Sequence, residues 1–157
     1  MKCPECGGSV KEEIGSHPYI GDELPNVLLI GVKLRTCTKC GVKSVAIPKL
    51  AKLHRALAMS IARSPHRLTS GEVRFLRKYL GWSGQDSARH FGVTPETVSR
   101  WENGAKPMGA TAERLLRLTV LTVDPVDEYP IPDELKKRTR QHQLKASLAN
   151  DWQVDVA

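Results

Sequence analysis

Residues 82–107 read WSGQDSARHFGVTPETVSRWENGAKP. Ser83 stands where a helix N-cap belongs, and a short helix from Gly84 to Phe91 would turn Ala88 and Phe91 inward. Gly92-Val93-Thr94 interrupts it. Thr94 can cap again, Pro95 suits the first helical position, and a second helix runs through Val98 and Trp101 to Glu102 before Asn103-Gly104 stops it. A small residue at Ala88 and a glycine in the turn are what two short helices need to cross steeply, so the stretch predicts a helix-turn-helix. Trp101 shares the apolar side with Val98 and is read as core rather than as a base-stacking platform.

Outward from this stretch the helical periodicity continues. Val73, Leu76 and Leu80 form one stripe over 70–80, with Ser70 as the expected cap and Gly81 as the stop. A further helix, about Thr111 to Val120, is expected to bury Ala112, Leu115 and Leu116 and to close the helical core. Upstream, Leu50, Leu53, Leu57 and Ile61 recur at threes and fours between Pro48 and Ser64-Pro65. This connecting helix carries Lys49, Lys52, Arg55 and Arg63, read as a solvated basic face.

The front of the chain obeys a different rule. Cys3-Pro4-Glu5-Cys6-Gly7 and Cys37-Thr38-Lys39-Cys40-Gly41 are two C-x-x-C-G brackets, and they contain all four cysteines. Two residues between cysteines let a tight turn aim both sulfurs at one ion, and two such turns supply the ligand set of a closed tetrahedral zinc site, Cys3, Cys6, Cys37 and Cys40. Iron suits the same tetrahedral sulfur geometry. A redox C-x-x-C usually stands singly beside a βαβ pattern, which is missing here, and no apolar signal stretch follows Met1-Lys2, so zinc is favoured over disulfides. Between the brackets, Ser9–Ile14 and Val27–Arg35 favour strands, with turns at His17-Pro18, Gly21-Asp22 and Leu24-Pro25-Asn26.

The 157 residues and a metal-supported front suit two small domains of α+β class: a zinc-binding β-module over 1–47, a basic linker helix over 48–66, an all-α helix-turn-helix domain over 67–122, and a C-terminal extension over 123–157. The extension has Pro125, Pro130 and Pro132, then a polar, helix-compatible run from Asp133 to Asn150 with too few apolar residues for a core of its own. Net charge is +7, distributed as +1, +4, +4 and −2 over those four segments, so the middle of the chain carries the expected footprint of phosphate binding. The longest apolar run, Val27 to Val32, is far too short to span a bilayer, and the expectation is a soluble, cytoplasmic protein.

Nothing in the sequence points to catalysis. His17, His54, His66, His90 and His142 are scattered, Glu12-Glu13 and Asp127-Glu128 are adjacent rather than facing, and no phosphate loop, nucleophile elbow or H-E-x-x-H occurs.

The stretch from Trp82 to Pro107 resembles the DNA-binding domain of Xre and phage-repressor type regulators, in which a glutamine opens the second helix, Gly-Val-Thr/Ser forms the turn and Trp-Glu-x-Gly ends the recognition helix. With the double C-x-x-C module in front, the whole chain resembles the MqsA/YgiT-type antitoxins. That resemblance implies a zinc module that engages a toxin, an RNA-cleaving enzyme in such systems, and a dimeric helix-turn-helix that represses its own operon at a palindrome. In such a fold the N-terminal half of the recognition helix enters the major groove. Glu96, Thr97 and Arg100 share its outward side; Arg100 suits the O6 and N7 edge of guanine, while Glu96 either accepts from cytosine N4 or orients Arg100. By resemblance, Gln85, Thr94, Asn103 and Lys106 contact phosphate or sugar, and Thr94 has a second role as a plain N-cap.

Two other functional classes fit the same residues: a zinc-containing Xre-family transcriptional regulator without a toxin partner, and a zinc-ribbon RNA-binding or ribosome-associated protein.

Overall fold

A computed structural model of the chain describes residues 1–21, 23–122 and 144–156. In chain order these form β1 (Val10–Pro18), β2 (Val27–Cys37), β3 (Lys43–Ala46), α1 (Leu50–Arg63), α2 (Ser70–Tyr79), α3 (Gly84–Phe91), α4 (Pro95–Glu102), α5 (Ala110–Thr122), β4 (Leu144–Leu148) and β5 (Trp152–Val156). The fold is of the α+β class: a sheet of five described strands, with a helical layer that begins at α1. Among the described residues no helix is long and apolar enough to cross a membrane.

Strand β2 is the centre of the sheet. One of its edges pairs antiparallel with β1. Its other edge is shared: Val27–Ile30 pairs parallel with β4, and Lys33–Thr36 pairs antiparallel with β3. Gly31 stands at the changeover. The β1 register skips it, passing from Gly15 opposite Val32 to Ser16 opposite Ile30, so Gly31 is the extra residue of a bulge. At φ 78° it occupies the left-handed region, and a Cβ there would stand 3.0 Å from the Leu148 carbonyl oxygen. The bulge also resets the alternation. Val27 and Leu29 point inward before it, and Val32 points inward after it, all at most 2% exposed, while Lys33 stays in solvent.

Helix α1 joins the layers. Its stripe of Leu53, Leu57 and Ile61, with Ala58 and Ala62, is buried, and the helix packs against β5, α2 and α5. Leu50, expected on the same stripe, is 46% exposed because it opens the helix before any neighbour covers it. A single cluster of buried residues runs from Leu24 and Leu29 of the sheet through Leu57 and Leu76 to Trp101 and Leu121. Segments 1–47 and 67–122 thus share one apolar core. The turn before β2 also touches α2: Tyr19 and His54 are hydrogen-bonded at 2.9 Å, His54 meets Phe75 edge-on, and Gly71 is packed so closely that a Cβ would lie 2.0 Å from the Glu23 carbonyl oxygen.

Several local expectations need correction. His17-Pro18 lies inside β1, whose pairing with Leu28 and Leu29 of β2 carries the hairpin past the proline. The turn at Leu24-Pro25-Asn26 is present, closed by Val27 N–H donating to the Leu24 carbonyl at 3.2 Å, whereas Asp22 lies outside the described residues. The cap of α2 is Thr69 rather than Ser70, because only Thr69 completes a reciprocal box with Glu72. In α5, Leu115 is 42% exposed and Ala112 is half-buried; the buried side is Glu113, Leu116, Arg117, Val120 and Leu121.

The largest correction concerns the tail. Pro125, Pro130, Pro132 and the run from Asp133 to 143 lie outside the described residues. Leu144–Leu148, expected to be helical, is strand β4. Leu144 and Leu148 suit either period, but Leu144 and Ala146 point inward together, at 4% and 0% exposure, and β5 adds Trp152 at 6%. The hairpin has no core of its own and completes that of the sheet. Trp152 Nε1 donates to the Pro48 carbonyl at 2.9 Å, Lys49 Nζ to the Asn150 carbonyl at 2.7 Å, and Lys52 pairs with Asp151 at 3.0 Å. Part of the basic face of α1 is therefore engaged by the tail.

Candidate nucleic-acid interface and metal centre

Each cysteine bracket folds as a knuckle. In the first, Cys3 N–H donates to the Gly8 carbonyl and Gly7 N–H to the Cys3 carbonyl, both at 2.8 Å, with Gly7 at φ 67°. In the second, Cys37 N–H donates to Val42 and Gly41 N–H to Cys37, with Gly41 at φ 73°. The β1–β2 register sets Val10 opposite Cys37, and Thr38 bonds to the Ser9 carbonyl through both its amide and its hydroxyl, which draws the knuckles together. Gly8 leaves no room for a side chain: a Cβ would lie 2.7 Å from Lys39 Cβ and 3.2 Å from Cys37 Sγ.

The four Sγ atoms of Cys3, Cys6, Cys37 and Cys40 lie within 4.8 Å of one another. Cys3 and Cys40 are separated by 3.7 Å, and Cys6 and Cys37 by 3.5 Å. A tetrahedron with metal–sulfur bonds of about 2.3 Å has edges of about 3.8 Å, so the cluster matches a four-thiolate site for one metal ion. Electrostatics agree with the geometry. The amides of Cys40 and Lys39 directed at Cys37 bring its thiol down to about 6. Against the pull of the Gly8 amide, the adjoining Cys40 and Cys37 thiols push Cys6 up to about 12. Four sulfurs this close cannot all ionise unless a cation balances them. All four donors come from the protein, which is the pattern of a structural rather than a catalytic site.

The helix-turn-helix is built by its caps. Ser83 and Asp86 form a reciprocal box at the start of α3. Gly92, at φ 64°, ends α3 in the left-handed conformation, with Val93 N–H returning to the Ala88 carbonyl at 3.0 Å. Thr94 then accepts from Thr97 N–H, and Pro95 occupies the first turn of α4. Trp101 is buried at 6% exposure and meets Phe91 edge-on at 5.8 Å, as its core reading requires. Glu102 ties α4 to α2. It takes Arg77 through both carboxylate oxygens, and its backbone carbonyl accepts from Arg74 at 2.9 Å.

Each residue singled out on this unit can now be placed. Gln85 is exposed at the first turn of α3. Glu96 and Arg100 are exposed on one side of α4, and Thr97 beside them is half-buried, its hydroxyl 3.2 Å from that of Thr94. Glu96 does not pair with Arg100. Its own backbone N–H and the Thr94 hydroxyl hold its carboxyl below the usual range, with a smaller contribution from the Arg100 charge. The Arg100 guanidinium makes no hydrogen bond or ion pair among the described residues. Asn103 Oδ1 accepts from Ala105 N–H at 3.0 Å, and Lys106 N–H donates to the Arg100 carbonyl at 3.1 Å, so both exposed side chains follow directly from the end of α4.

One charged cluster was not expected from sequence. Glu113 and Arg117 on α5 are 1% and 0% exposed. Arg117 bonds to Glu113 at 2.8 Å and donates to the carbonyls of Ile61, Ala62, Ser64 and His66, capping the end of α1. Arg67 joins from the other side, 2.8 Å from Glu113 Oε2. A signal did exist: positions 113, 116, 117, 120 and 121 repeat at threes and fours, but two of them carry charges and were not counted as core.

A helix-turn-helix domain family matches residues 70–128, a span that contains α2 to α5. No curated protein matches the chain. The helix-turn-helix match supports a DNA-binding transcriptional regulator.

Proposed function

We infer that the chain is a zinc-bearing, sequence-specific DNA-binding protein, not an enzyme, that acts as the antitoxin of a toxin–antitoxin pair and represses its own operon. One observation carries the DNA-binding part: an exposed α4 face on a rigidly capped helix-turn-helix, with the Arg100 guanidinium unclaimed among the described residues. With the exposed face of α4 in the major groove, Arg100 in its last turn is free to bond bidentately to guanine. Glu96, ionised and steered by the helix start, is the acceptor for an adjacent cytosine N4. Gln85, Thr94, Asn103 and Lys106 flank that face as phosphate or sugar contacts, and the +4 of residues 67–122 supplies the field that attracts duplex DNA. Two copies on a palindrome would place their α4 helices about one helical turn apart.

Zinc, bound by Cys3, Cys6, Cys37 and Cys40, would supply a rigid crosslink that the short knuckles cannot provide alone. The antitoxin reading rests on the layout, a four-cysteine module ahead of an Xre-type reader, and on the likeness of that layout to MqsA/YgiT-type antitoxins. The N-terminal module would then be the toxin-binding part.

The test has two arms. Selection from random duplexes should return a palindrome that the purified protein prefers over competitor DNA; no enrichment would remove the DNA reading. Co-expression with the product of the adjacent open reading frame should yield a stable complex that relieves its toxicity. A neighbour that is neither toxic nor bound leaves the regulator without a toxin partner as the standing account.

A further inference from the structure

The loop 103–109 between α4 and α5 carries Asn103 and Lys106, two of the side chains assigned above to the DNA backbone. Few bonds shape it. Ala105 N–H reaches Asn103 Oδ1 and Lys106 N–H reaches the Arg100 carbonyl. Its far end is fixed by Met108, 5% exposed, whose carbonyl accepts from Arg67 Nη2. The same guanidinium places Nε 2.8 Å from Glu113 Oε2. Glu113 is held in turn by Arg117 and by Leu68 N–H at 3.1 Å.

Resting on the DNA-binding reading, we propose that Arg67 is a positioning residue for DNA recognition: its fork, anchored on buried Glu113, holds the loop that presents Asn103 and Lys106 to the phosphates. Burial decides which member can play this part. Glu113 and Arg117 are fully buried: removing Glu113 strands the Arg117 charge, and removing Arg117 leaves the buried carbonyls at the end of α1 without their donor, either of which a fold tolerates poorly. The Arg67 side chain is 31% exposed and lies on the outer side of the triad. Without it, Glu113 keeps Arg117 and the Leu68 amide, so the core charge stays balanced while the Met108 carbonyl loses its donor. A lysine at 67 keeps the charge but lacks the planar fork that spans the Glu113 carboxylate and the Met108 carbonyl.

The experiment uses the full chain, wild type beside Arg67→Met and Arg67→Lys, with a palindrome selected on the wild type. Arg67→Met should stay folded and bind roughly three- to tenfold more weakly, with the salt dependence shallower by about 1 in slope and the base preference unchanged. Amide exchange should quicken at Lys106 while α2 and α3 keep their protection. Arg67→Lys should fall between. Wild-type affinity and salt slope in Arg67→Met overturn the proposal, and so does a uniform rise in exchange across α2–α5, which marks a merely structural residue. If the wild type itself prefers no duplex, the DNA reading has failed and this proposal falls with it.

Discussion

Arg77 of α2 grips Glu102 of α4 through both carboxylate oxygens, and its Nη1 donates to the Trp82 carbonyl at 2.7 Å, so one side chain joins the ends of α2 and α4 to the start of α3. The two side chains are only 16% and 11% exposed. Breaking the pair leaves the poorly solvated Glu102 carboxylate with only the longer contact of Arg74, at 3.7 Å. Arg77→Met is expected to destabilise the protein by about 3 kcal/mol, seen as a lower denaturant midpoint at unchanged slope. A midpoint within experimental error of the wild type would mean that the pair merely decorates the surface.

Arg100→Ala removes no hydrogen bond or ion pair among the described residues, only a weak charge interaction with Glu96. Stability should hardly move, while affinity for the selected operator should fall by about 1–3 kcal/mol and discrimination should relax at one base pair. Unchanged affinity would remove Arg100 from the reading set and leave Glu96 and Thr97 as the side chains to examine.

Removal of the metal, or Cys37→Ser, should have a local effect. Val27, Leu29 and Val32 are seated in the core shared with the helices, Leu34 and Val45 pack only partly buried against it, and the knuckles converge on the four sulfurs. Fast amide exchange is expected in the knuckles and β3, with the helices retaining their protection. Because an ion there would be held by thiolates, its affinity should also fall as pH is lowered. A Cys37→Ser protein that keeps one tightly bound ion per chain and a native exchange pattern would contradict the four-sulfur site.

Trp152→Ala should show that the C-terminal hairpin is structural. The indole is 6% exposed and donates to the Pro48 carbonyl, so truncation is expected to cost about 3–5 kcal/mol. The loss should appear in one cooperative transition, because the tail, sheet and helices share a core. An unaltered melting curve would mean that the hairpin lies outside the stable unit.

The parts legible in sequence are those governed by short-range chemistry. Ser83, Gly92, Thr94 and Pro95 each act within a few residues of themselves, and α3 and α4 lie where those residues place them. The cysteine brackets are legible for the same reason, since a knuckle is a local turn. The β4–β5 hairpin was not legible, because five residues with Leu144 and Leu148 satisfy both periodicities until β2 supplies a partner more than a hundred positions away. Glu113 and Arg117 were hidden by their type: charge argues for solvent, and burial is tolerable because the two pair with each other, the carbonyls at the end of α1 take the remaining donors of Arg117, and Arg67 and the Leu68 amide complete Glu113.

By itself, then, the chain of residues determined two local devices, a four-sulfur clamp and a helix-turn-helix, because caps, turns and ligand spacing are encoded within a few positions. Only the tertiary structure decided that the two share an apolar core. Whether α1 and the tail bridge them depends on which apolar faces meet across long sequence separations, and burial of that shared surface is a property of the assembled layers that no local pattern records.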